Sequence, residues 1–63
     1  MDWSHAKGQM KQKRKVRLPE WKEGTYVHLD EGHLNQCEPE GITYNWRISE
    51  AERASDKWEV YRA

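Results

Sequence analysis

From Val16 to Asp30 the chain reads VRLPEWKEGTYVHLD, and the fold class turns on how this stretch divides. In Val16-Arg17-Leu18 apolar residues alternate with a charge. Pro19, which has no N–H for a strand ladder, ends that run. Glu23-Gly24 reads as a turn. Thr25 to Asp30 then alternates with the period of a strand, with Val27 and Leu29 on one face and Tyr26, His28 and Asp30 on the other. Short strands broken by Pro and Gly predict an antiparallel sheet.

Upstream the period changes. Trp3, Ala6 and Met10 stand at i, i+3 and i+7, one stripe of a short helix. Asp2 is placed to cap its N-terminus, and the lysines beyond suit its negative pole. Gly8 weakens the helix interior. Downstream, Glu31 to Glu40 is polar, contains Gly32, Asn35 and Pro39, and reads as a loop or an extended hairpin tip. Ile42, Tyr44 and Trp46 alternate again on what should be the buried face, opposite Thr43, Asn45 and Arg47. Ser49-Glu50-Ala51-Glu52 has the spacing of a capping box and predicts a helical turn or two through Ala54. Trp58 to Tyr61 reads as the last strand. The expected architecture is α+β: a short N-terminal helix packed on a small antiparallel sheet, with a short helical turn before the last strand, in one domain spanning 1–63.

Composition limits what such a domain can be. Of its 63 residues, 35% are hydrophobic and 35% charged, so the core must be thin. A chain this short buries only ~60% of the surface its unfolded form exposes. Domains of this size usually need a disulfide, a metal or a partner subunit. The single cysteine, Cys37, rules out an internal disulfide, which makes a homo-oligomer, dimer or tetramer, the expected remedy. A reduced thiol without a signal peptide favours the cytoplasm. No apolar run approaches the ~20 residues that span a bilayer. Net charge is zero, yet Lys7, Lys11, Lys13, Arg14, Lys15 and Arg17 form a basic run with no acid between Asp2 and Glu20. Duplex-binding proteins carry a clear positive excess, so nucleic acid is not the expected partner. The asymmetry fits a small anionic ligand or a head-to-tail contact between subunits.

Four tryptophans, three tyrosines and no phenylalanine mean that every aromatic ring is a broad stacking face or carries a polar handle. Trp21 and Trp46 read either as core or as walls that stack on a purine-like ring. Trp58 reads as core, and Trp3 as core or interface. Ser49 serves as a helix cap, or its surrounding N–H groups meet a phosphate. Asp56 is either a turn residue or an acceptor for a ribose diol. Arg17 and Arg47, opposite the apolar residues, are either solvated or clamp a phosphate bidentately. His28, His33 and Cys37 lack the paired short spacings of a structural zinc site, so no metal is expected. No nucleophile elbow, Gly-rich phosphate loop or carboxylate pair appears, and Cys37 falls in the stretch read as loop, without an ordered base. The chain does not read as an enzyme, and no cofactor is expected.

The order of these features resembles one family. A short helix leads to Lys15-Val16-Arg17, then to Trp21 and Gly24-Thr25-Tyr26-Val27-His28-Leu29. The tail carries Trp46, Ser49 and Ala54-Ser55-Asp56-Lys57-Trp58-Glu59-Val60. This is similar to the phage anti-Thoeris sponge proteins, in which a basic V-R-R-x-x-W entry and a G-x-x-x-x-L strand precede P-W-x-x-S-x-x-D-x-x-A-x-D-W-E. The chain departs from that pattern in a shortened middle, in Asn45 for the Pro, in Glu52 for the first Asp and in Asp56-Lys57 before the last Trp. The resemblance implies a helix on an antiparallel sheet and assembly into dimers or tetramers. It also implies capture of a cyclic nucleotide or cyclic ADP-ribose-type immune signal without cleavage. Resemblance and side-chain chemistry together point to Trp21, Asn45, Trp46, Ser49 and Asp56 as ligand-binding residues, and the expected set is completed by Arg17, Tyr26 and Arg47. The alternative is a small nucleic-acid-binding or host-protein-inhibiting module that uses the basic run 7–17.

Overall fold

The structure is a computed structural model that describes residues 1–62. Its elements are α1 (Trp3–Lys11), β1 (Val16–Arg17), β2 (Tyr26–Asp30), β3 (His33–Cys37), β4 (Thr43–Asn45), α2 (Glu50–Ala54) and β5 (Glu59–Val60). The strands form one antiparallel sheet in the order β4-β3-β2-β1-β5. The architecture is α+β, with the N-terminal helix on the sheet and the short helix just before the last strand.

Both helices form where their caps allow. Asp2 accepts a 2.9 Å bond from the His5 N–H, and this bond, aided by the His5 ring, holds the Asp2 carboxyl below its ordinary value of 3.8. That contribution to stability is present above the ordinary value and is lost as the pH falls through the lowered one. At the other end, Lys13 N–H bonds Met10 O at 2.9 Å and Arg14 N–H bonds Gln9 O at 3.1 Å. These two bonds make a Schellman cap, with Lys13 at φ 66° in the position that usually takes glycine. In α2 the Ser49 hydroxyl accepts from Glu52 N–H at 3.2 Å, and the Glu52 carboxylate accepts from Ser49 N–H at 2.9 Å.

The central register pairs Val16 with Val27 on one side and Val60 on the other. Val16 and Val27 join Trp3, Ala6, Met10, Leu18 and Trp58 as the buried core. All four tryptophans meet there. Ring centroids of Trp3 and Trp58 are 4.9 Å apart, those of Trp21 and Trp58 5.4 Å, and those of Trp46 and Trp58 6.2 Å. Most of the contacts are edge to face, the arrangement that ring quadrupoles favour. The Trp58 indole N–H donates to Glu52 O at 3.0 Å, tying α2 to the core.

Two parts of the sequence reading need correction. Apart from the β3–β4 turn around Pro39, the polar stretch after Asp30 is a loop only at Glu31-Gly32, where both residues take positive φ as a tight hairpin turn requires. Its continuation, His33–Cys37, is a full strand paired with β2 from Asp30↔His33 to Tyr26↔Cys37. This strand has no β-branched residue, so its pairing and not its propensity makes it. The second correction concerns Ile42 and Tyr44, expected to be buried but 55% and 42% exposed. Tyr44 pairs with Gln36, which pairs with Val27, so it does lie on the helix side of the sheet. However, of the strands α1 packs on β1, β2 and β5 only. A nine-residue helix is roughly 14 Å long, whereas five strands span about 19 Å. The outer hairpin therefore lies beyond its cover.

Trp58→Ala should cost about 3–5 kcal/mol, enough to unfold so small a domain at room temperature. Ser49→Ala, which loses one cap bond, should cost only about 1 kcal/mol. Urea unfolding followed by circular dichroism would show both, and a folded Trp58→Ala protein would contradict the hub role given to this ring.

Candidate functional site

The Schellman cap that ends α1 also turns the basic run. It sends Lys13, Arg14 and Lys15 around the helix C-terminus, toward the end of β5. There the Tyr61 N–H bonds Lys15 O at 2.8 Å and continues the β1–β5 pairing. Between these segments opens a cleft of about 640 Å³ lined by Gln9, Lys13, Arg14, Lys15, Tyr61 and Arg62, together with Val60. Four of the lining side chains are cations and none is acidic. The Arg14 guanidinium donates to the Gln9 side chain at 2.6 Å, which fixes its orientation. The helix C-terminal carbonyls also stabilise cations gathered there.

One wall is aromatic. Tyr61 stacks on Tyr26 with centroids 4.8 Å apart and planes 22° from parallel. Lys15 Nζ lies 4.7 Å from the centre of the Tyr26 ring. The Cys37 side chain holds the Tyr26 phenol above its ordinary value, with burial and the neighbouring Tyr61 adding to the effect. Chemically, the cleft presents ammonium, guanidinium and amide donors beside a phenol ring. Such a set suits an anion that carries a flat ring.

The residues expected from the sequence do not converge. Trp21 and Trp46 meet at 5.8 Å, half-buried around Trp58, and pack against the core. Asn45, Arg47 and Ser49 are exposed along the segment from β4 to α2, and the Ser49 hydroxyl is taken by its capping bond. Asp56 is exposed at a bend, where its backbone carbonyl accepts from the Met1 amino group at 3.1 Å. Tyr26 lies on the opposite sheet face from Val27, beside the basic cleft.

Arg17 departs most from its expected place on a solvated face, being only 7% exposed. Its guanidinium donates to Trp21 O at 2.8 Å and Leu18 O at 3.3 Å, and faces the Glu23 and Glu59 carboxylates at 3.6 and 3.8 Å. Those partners occupy the donors a phosphate clamp would need. Arg17 pins the bend at Pro19 instead.

Cys37 is also misplaced by the sequence reading. It is ordered in β3, with Sγ 3.5 Å from His28 Nε2 and 3.1 Å from Thr43 Oγ1. His33 stands at the far end of the same hairpin, opposite Asp30. Among the described residues no three His, Cys, Asp or Glu side chains are grouped to hold a metal. None of the described helices is long and apolar enough to cross a membrane.

Gln9, Tyr61 and Arg62 are the polar cleft residues that sequence reasoning missed. Their partners Lys13 to Lys15 were visible as a charge run, but only the β1–β5 pairing brings the two segments together. The chain matches no protein-family model, no curated protein and no solved structure.

Two substitutions separate scaffold from cleft. Arg17→Ala should destabilise the fold by roughly 1–3 kcal/mol, because it leaves the Trp21 carbonyl without its donor and removes the cation facing Glu23 and Glu59. Lys13→Gly should raise the melting temperature by relieving the left-handed strain, while removing one cation from the cleft. A Lys13→Gly protein less stable than wild type would refute the Schellman-cap reading.

Proposed function

We propose that this chain is a binding module that captures a small anionic ligand of nucleotide type and holds it without cleaving it. The observation that carries the reading is the convergence of Lys13, Arg14, Lys15 and Arg62 on one cleft beside Tyr61, in a chain of zero net charge. A volume of about 640 Å³ lies within the range of small-molecule sites. The lining supplies hydrogen-bond donors to phosphate and a ring to stack on. It offers no carboxylate or imidazole to activate water, which supports sequestration over hydrolysis. Together with the resemblance of its tail to the anti-Thoeris sponges, this favours a phage anti-defence protein. In that role it binds a cyclic nucleotide or cyclic ADP-ribose-type signal in the host cytoplasm.

Assembly belongs to the same reading. The exposed Tyr44 lies in the edge strand β4, which has no charged residue or proline, and the exposed Ile42 immediately precedes it. Such an edge is open to pairing, and a thin core gains from a partner subunit. The module accordingly acts as a homo-oligomer, a dimer or a tetramer.

Incubation with lysate containing activated immune signals, then heating and mass spectrometry, should return the ligand at its intact mass. Arg14→Ala and Arg62→Ala should each weaken its binding about tenfold, as expected for loss of one charged hydrogen bond. A hydrolysed product would overturn the non-cleaving reading. Binding to generic polynucleotide that falls steeply with salt would favour a nucleic-acid module. Sedimentation of a 7.6 kDa species alone at micromolar concentration would refute the oligomer.

A further inference from the structure

The sheet face away from α1 carries a second group of reactive side chains, built by register. Cys37 stands opposite Tyr26 on β2 and Thr43 on β4, and His28 lies one pair along the same face. The Cys37 sulfur is 3.5 Å from His28 Nε2 and 3.1 Å from Thr43 Oγ1. The Val16↔Val27 pairing sets Lys15 opposite His28 on the next strand, and its ammonium lies over the Tyr26 ring. The thiol is therefore partly exposed, beside an imidazole nitrogen and with an ammonium on the adjoining strand. Reactive cysteines occupy this kind of partly open, electropositive setting, whereas inert ones are enclosed by apolar groups.

We propose that Cys37 is a covalent modification site at which His28 serves as the base for thiol exchange with low-molecular-weight disulfides. In the step, the Cys37 S–H proton passes to His28 Nε2 as sulfur attacks one sulfur of the disulfide R–S–S–R. A Cys37–S–S–R bond forms, the original S–S bond breaks, and R–S⁻ leaves and takes up the proton. One disulfide is consumed and one is made, so no further oxidant is needed. The Thr43 hydroxyl, 3.1 Å away, can then donate to the sulfur and steady its developing charge. The inference does not rest on anion binding at the cleft, although Lys15 belongs to both sites.

The test is the rate at which an aromatic disulfide that releases a coloured thiolate reacts with native protein at pH 7. The same measurement is made on the chain unfolded in urea, and on native His28→Asn and His28→Gln proteins. The native wild-type thiol should react about tenfold faster than the unfolded one, and either His28 variant with wild-type circular dichroism should lose most of that advantage. Mass spectrometry with glutathione disulfide should show one adduct, absent in Cys37→Ser. A native thiol that reacts no faster than the unfolded chain overturns the proposal, whether or not the variants fold. So does a folded His28 variant that reacts at the wild-type rate.

Discussion

Everything in this molecule depends on the burial of one indole. Trp58 lies between the rings of Trp3, Trp21 and Trp46, and its N–H is satisfied by the carbonyl of Glu52. Its backbone binds the other end of the chain: Trp58 N–H donates to Met1 O, and Trp58 O accepts from the Met1 amino group. One residue thus joins the N-terminal segment, both helices and the last strand. A chain with few aliphatic residues concentrates its apolar area in large rings, and aromatic pairs add ~0.5–1.5 kcal/mol each beyond burial. The consequence is a core that works as a unit, in which the energies of neighbouring residues do not add.

That economy leaves much of the sheet uncovered. The single longer helix protects β5, β1 and β2, whereas the β3–β4 hairpin extends past it. The uncovered regions are where chemistry is available. One face holds Tyr26, His28, Cys37 and Thr43, and the rim between α1 and β5 holds the basic cleft. Arg17 is the boundary between scaffold and site. Although it belongs to the same basic run as Lys13 to Lys15, its charge faces two carboxylates and its donors hold the backbone of the following bend. Position relative to Pro19, not residue type, separates the structural arginine from the cleft cations.

The turns show how little slack the fold has. Gly24, at φ 91°, packs so closely that a Cβ there would stand 3.1 Å from the Pro39 side chain. This contact sets the entry to β2 against the β3–β4 turn. Lys13 accepts a left-handed conformation at the opposite end of the sheet. The strain at Lys13 aims the cations that follow it, which links a local backbone cost to the electrostatics of the cleft.

The features legible in the sequence are those governed by near neighbours. The Asp2 cap and the Trp3–Ala6–Met10 stripe depend on residues within a helical turn or two, as does the Ser49–Glu52 box. The alternation through Val27 and Leu29 is equally local, and together these determined the α+β class. The strand at His33–Cys37 was hidden because its side chains are mostly polar and its hydrogen bonds come from β2. The exposure of Tyr44 was hidden because alternation assigns a face but not whether anything covers it. The basic cleft joins residues 13–15 to Tyr61 and Arg62, and the Cys37 cluster joins three strands. Tertiary structure alone decided these sites, because strand register and helix reach are set by contacts between segments far apart in the chain.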